Sequence, residues 1–219
     1  MNKPDITAGG SMTREKHYTF YDLRDALAQA GCPICFLAER SVARNIEDLF
    51  HEKVNDSGVA KEIKRSGGFC EKHSEQILRT GETLGIAIIY KRLLDVFIGY
   101  LKKNCVKTKL ASCPICMTYQ QAEQRYLSNL IDHWGELKPE FAASSILCIG
   151  HTYKALGLMK QTKTMKELVE IQIKKLGELS AELEEICRKF DYRFADEKLG
   201  KEKDAWQRAT KIIFKEGKT

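Results

Sequence analysis

The sequence predicts an all-α protein: two related helical halves, each with a CPxC…CxxH zinc site, followed by a long C-terminal helix. Three observations predict it. Proline is scarce, with 4 in 219 residues, which disfavours a turn-rich β-sandwich. Apolar residues recur at steps of three and four, the period of one helix face, and no segment alternates as a half-buried strand would. Two cysteine motifs each occur twice, in the same order.

The repeat is specific. Cys32-Pro33-Ile34-Cys35 returns as Cys113-Pro114-Ile115-Cys116, an offset of 113 − 32 = 81. Cys70-Glu71-Lys72-His73 returns as Cys148-Ile149-Gly150-His151, an offset of 148 − 70 = 78. Two ordered motifs at nearly one spacing mark a duplicated unit.

The elements follow in order. Residues 1–15 read as a disordered leader or added segment, polar and without the apolar core of a signal peptide. A short helix is expected over Tyr21 to Ala30. After the first CPIC, Val42, Ile46, Leu49, Phe50 and Val54 define a helix face. Asn55-Asp56-Ser57-Gly58 is a turn, and a short helix over Val59 to Arg65 stops at Gly67-Gly68. Leu84 to Leu101 is the most apolar run; Lys91, Arg92 and Asp95 interrupt it, so it reads as a buried core helix joining the halves, not a membrane span. After the second CPIC the face is Tyr119, Glu123, Tyr126, Leu127, Leu130, Ile131 and Trp134. A break is expected at Gly135 to Pro139, then a short helix to about Leu147. From Thr164 to Phe190 a heptad-like stripe runs through Val169, Ile173, Leu176, Ser180, Leu183, Cys187 and Phe190. A last helix should cover Lys201 to Phe214. The halves are then residues 16–103 and 104–160, with residues 161–219 as a C-terminal helical segment packed on them.

Eight cysteines, six of them patterned with two histidines, suit metal or redox chemistry in a reducing compartment better than disulfides. A cytoplasmic location follows as an expectation. Cys-x-x-Cys turns two thiolates toward one point, and Cys-x-x-His at a helix start shares one face. Three sulfurs and one imidazole suit tetrahedral zinc, and four protein ligands close the site, as in structural centres. Pairing within each half is the simplest arrangement: Cys32, Cys35, Cys70 and His73 for one ion, Cys113, Cys116, Cys148 and His151 for the other. Pairing across the halves is the alternative. An iron–sulfur cluster with one histidine ligand and a metal-free redox dithiol are the rival chemistries.

The other candidates read more simply as structure. Cys187 lies on the apolar stripe, as a buried inert thiol would. Cys105 sits in a lysine-rich linker with Lys102, Lys103, Lys107 and Lys109. His51 and His133 fall near equivalent ends of the two long helices, and His17 has no context. No nucleotide-loop, nucleophile-elbow or zincin motif is present, so nothing indicates catalysis. A formal charge of +6 is mild, which makes nucleic acid a less favoured partner than protein.

Further segments carry a resemblance. Tyr21-Asp22-Leu23-Arg24-Asp25-Ala26-Leu27 precedes the first knuckle, and Glu52-Lys53-Val54-Asn55-Asp56 and Gly68-Phe69-Cys70-Glu71-Lys72-His73 follow it. Phe190-Asp191-Tyr192-Arg193-Phe194 comes late, with Trp206 in the last helix. In combination these resemble a prokaryotic family of helical proteins of unknown function, from about residue 16 to the end. The second half departs from the pattern: Leu147-Cys148-Ile149-Gly150-His151 lacks the Gly-Phe lead.

The resulting expectation is a zinc-stiffened scaffold or adaptor that contacts an unknown protein, without a membrane. A thiol or metal redox sensor, an iron–sulfur electron carrier and a nucleic-acid-binding regulator are the alternatives. The rings of Phe190, Tyr192, Phe194 and Trp206 either form a contact surface or, the preferred reading, cap the core.

Overall fold

The computed structural model describes residues 18–104, 110–194 and 196–213. The proposed leader, His17, Cys105, Lys107, Lys109 and Phe214 lie outside them. Ten α-helices make up most of the described residues, with no named strand among them. The chain is all-α, as expected.

The first half opens with α1 (Tyr18–Leu27), which buries Phe20, Leu23, Ala26 and Leu27. Next comes α2 (Pro33–Asp48), with proline at its start, where the missing N–H costs nothing. A π-helical turn, Leu49–Lys53, extends it. Asp56 caps α3 (Ser57–Ser66) by accepting from Val59 N at 2.8 Å. Gly67, at φ 71°, ends α3 in the left-handed conformation, and Gly68 N donates to Ile63 O, a Schellman closure. The α4 helix (Glu71–Arg79) and α5 (Thr83–Lys102) follow.

The second half repeats the plan with α6 (Pro114–Asp132), α7 (Trp134–Ser144), α8 (Ile149–Leu158) and α9 (Thr162–Lys189). Short 3-10 turns at Tyr192–Phe194 and Lys201–Asp204 lead to α10 (Ala205–Ile213), which packs on α9.

The core centres on α2 against α6, the most extensive helix pair among the described residues. Ile34, Leu37, Ala38, Val42 and Ile46 of α2 share one cluster with Ile115, Tyr119, Ala122, Tyr126, Leu127 and Leu130 of α6. The two halves are thus joined through their CPIC helices into one core. A second cluster holds α10 on α9 through Leu179, Ala205, Ala209 and Ile212.

Three sequence expectations need correction. No break falls at Gly135 to Pro139: α7 runs through both residues, held by buried Trp134, Leu137 and Phe141. The apolar α5 is not a core helix, because Ile89 is its only buried residue. Apolar composition does not guarantee burial. Cys187 is exposed, not buried.

Candidate metal centres

All four motif helices begin on a ligand residue. Cys32, Cys113, Cys70 and Cys148 are the N-caps of α2, α6, α4 and α8. The second ligand of each motif, three positions on, lies in the first helical turn. A thiol at the N-cap and a thiol or imidazole at N3 therefore point to one side of the helix start. There the free backbone N–H groups and the positive end of the helix dipole favour thiolate.

The helix starts meet in pairs, and the pairs cross the halves. Cys32, Cys35, Cys148 and His151 form one group; Cys70, His73, Cys113 and Cys116 form the other. The donor atoms of each group lie within 4.8 Å of one another. Pairing within each half is thus overturned, and the alternative across the halves holds for all eight side chains. The cause is the α2–α6 core: packing these helices side by side carries each CPIC knuckle to the other half's Cys-x-x-His helix.

Main-chain contacts brace both crossings. Ile146 N donates to Gly31 O at 3.1 Å, just before Cys148 and Cys32. Ala111 N donates to Arg65 O at 3.1 Å, before Cys113 and Cys70. Gln172 of α9 clamps the first site further: it accepts from Leu147 N at 3.1 Å and donates to Leu147 O at 3.0 Å.

The spacings suit a single ion. A tetrahedral ion with metal–sulfur bonds of about 2.3 Å sets its sulfurs about 3.8 Å apart. Cys35 and Cys148 Sγ are 3.7 Å apart, and Cys70 and Cys116 Sγ 3.6 Å. His151 Nδ1 lies 3.3 Å from Cys32 Sγ, 3.3 Å from Cys35 Sγ and 3.0 Å from Cys148 Sγ. His73 Nδ1 lies 3.1, 3.6 and 3.3 Å from Cys70, Cys113 and Cys116 Sγ. All six cysteines are free thiols. Each group can hold one metal ion.

Electrostatics at the first site point the same way. Hydrogen bonds from Cys32, Cys35 and His151 push the Cys148 thiol far down despite its burial. Burial opposes charge on His151, but Cys148, Cys32 and Glu123 outweigh it and raise its pKa to about 11. Cys35 is pushed far up by Cys148, Cys32 and burial. Crowded thiols cannot all ionise together, and a divalent cation relieves that conflict. At the second site burial and Cys70 raise Cys116 to about 12. Burial works against the Cys113 thiolate, but His73 and the N–H groups of Cys70, Cys116 and Ile115 outweigh it.

One residue that contacts the first group was not singled out by the sequence. Glu123 Oε1 lies 2.7 Å from His151 Nε2, and Lys154 Nζ contacts the same oxygen. Glu123 is buried on α6 beneath the first site. The signal was present: a carboxylate on the apolar stripe Tyr119–Trp134. The CPIC offset of 81 maps it to 123 − 81 = 42, which is Val42. The second site therefore has no carboxylate at the equivalent position.

A family model described as a family of unknown function, DUF6062, matches residues 13–110 and again residues 99–218. The chain belongs to this DUF6062 family. No curated protein and no solved structure matches it. The double match agrees with the repeat, since each matched region carries one CPIC and one Cys-x-x-His motif.

The remaining candidates stay apart from the two centres. The His133 ring meets Phe20 edge-on at 5.1 Å, and His51 is exposed on the π-helical turn. No described helix is long and apolar enough to cross a membrane.

Proposed function

We propose that this DUF6062 protein is a helical scaffold stapled by two structural zinc ions, one in each crossed Cys3His group. The observation that carries this reading is the spacing of the donor atoms. Sulfur–sulfur separations of 3.6 and 3.7 Å match the edges of a zinc tetrahedron. A cluster must fit several irons and bridging sulfides between its ligands, so it needs them further apart. Four protein ligands leave no position for water or substrate, which favours a structural role.

Each ion would join a knuckle of one half to a helix of the other. Binding energy at either centre then stabilises the α2–α6 core directly, because the ligand set exists only when both halves are folded together. The scaffold would present its exposed Phe190, Tyr192 and Trp206 to a protein partner. Their exposure favours the contact-surface reading over the core-capping one.

Elemental analysis of protein purified without oxygen tests the metal, together with a visible spectrum. Two zinc ions per chain and no colour are expected. Iron with visible absorbance, or a metal-free chain whose melting temperature zinc does not raise, would overturn the reading. For the contact surface, Y192A/W206A protein should keep its helical signal and lose whatever protein the wild type captures.

A further inference from the structure

One apolar face of α5 has no cover among the described residues. Leu84, Ala87, Lys91, Leu94, Ile98 and Leu101 fall at alternating steps of three and four, a heptad stripe about 26 Å long at 1.5 Å per residue. All six are exposed. Phe97 flanks the stripe and is 56% exposed, against 59% for Leu94 and 46% for Ile98. The opposite side of α5 is the one that packs: Ile89 and Leu93 lie with Leu49, Ile63 and Phe69.

The repeat places this face on α9. Matching α5 and α9 at their first residues, Thr83 and Thr162, sets Ile89 on Leu168, both buried. The same match sets Phe97, outside the stripe, on Leu176, which belongs to the cluster that α10 covers. The stripe itself falls on Lys163, Lys166, Glu170, Ile173, Gly177 and Ser180, an exposed and mostly polar face of α9 that α10 does not cover, so the apolar character of this face belongs to α5 alone. Residues 1–17, 105–109, 195 and 214–219, outside the described structure, hold no heptad stripe that would cover it.

We propose that this face is a homodimer interface in which α5 packs antiparallel on α5 of a second copy. Charge pattern selects this occupant. Lys91 is the one charged residue on the stripe, and Asp95 stands beside it, its Oδ2 2.6 Å from Lys91 Nζ. Antiparallel pairing about the stripe's centre sets Leu84 against Leu101, Ala87 against Ile98 and Lys91 against Leu94. The small Ala87 leaves room for the branched Ile98 opposite, so side chains can interdigitate at that level. Each Lys91 then lies beside Asp95 of the other copy, so the charges at the seam are self-complementary across the two-fold axis. A parallel pair would instead stack Lys91 on Lys91.

Sedimentation of the full-length, metal-loaded protein tests this. The expected mass is twice the 25.0 kDa of one chain. L94E/I98E protein should sediment as a monomer with its helical signal and metal content unchanged. K91D and D95K proteins should each dimerise more weakly, by about tenfold or more, from like charges facing across the seam. Mixed together, the two should recover a dimer of both chains. A wild type that stays monomeric up to sub-millimolar concentration would overturn the proposal and leave the face to a different partner. So would a dimer that L94E/I98E leaves intact, or a K91D and D95K mixture no tighter than either variant alone.

Discussion

Glu123 Oε1 accepts from His151 Nε2 at 2.7 Å, on the ring nitrogen opposite the one that faces the three thiols. That contact fixes the tautomer: with the proton on Nε2, Nδ1 keeps its lone pair for a metal. Val42 stands at the corresponding place for the other site. Replacing Glu123 by Gln should therefore weaken one ion only, by about 10- to 100-fold. Competition against a graded set of chelators checks this. Equal weakening of both ions, or of neither, would refute it.

The crossed ligand sets predict an unusual pattern of paired substitutions. Cys113→Ser with His73→Ala strikes a single group, so one ion per chain should remain. Cys32→Ser with His73→Ala strikes both groups, and neither ion should bind tightly. Pairing within the halves demands the reverse. Metal-to-protein stoichiometry after gel filtration distinguishes the two.

Much of this site was readable before the fold. The eight candidate ligands, their grouping as Cys-x-x-Cys and Cys-x-x-His, and the placing of each Cys-x-x-His at a helix start all follow from residue type and spacing. The crossing did not, and its energetics explain why. Cys148 lies 113 residues from Cys35, whereas Cys70 lies 35 away. Loop-closure entropy grows only with the logarithm of length, so choosing the distant partner costs about 1 kcal/mol. Packing α2 on α6 far exceeds that, and which helices pack is a long-range property no single motif encodes. The same gap explains α5. Its apolar residues fit a buried helix as well as an exposed face, and only the packing of Ile89 and Leu93 on Leu49 and Ile63 shows which side is left uncovered. Pro139 misled in the opposite sense: burial of Trp134, Leu137 and Phe141 carries α7 through a residue that, read locally, stops a helix.

Gly85 makes a tight approach. A Cβ there would lie 2.5 Å from Cδ1 of Phe50, on the π-helical turn that follows α2. The Gly85→Ala protein must shift this ring or tilt α5. A loss of about 1–3 kcal/mol is expected from overpacking. Urea denaturation monitored by helical circular dichroism measures it. Since Gly99 has open space around its Cβ position, Gly99→Ala serves as the control and should not destabilise.

Acid should release the C-terminal segment through Glu202. Its side chain accepts from Gly200 N at 2.9 Å and pairs with Lys189 Nζ at 2.8 Å. The Gly200 N–H, then Lys189, hold its pKa down at about 2. Lys189 also faces Glu185, whose pKa Arg188 likewise lowers to about 2. A carboxylate depressed on folding contributes stability that is complete above its unfolded pKa, about 4.3, and is lost as pH falls toward 2. The contact of α10 with α9 should therefore loosen across that window. Hydrogen exchange of residues 205–213 should accelerate there, relative to the α2–α6 core, beyond the intrinsic pH dependence. In Glu202→Gln protein the segment should already exchange faster at neutral pH and show a smaller acid response. Identical acid responses in the two proteins would show that other groups hold α10 in place.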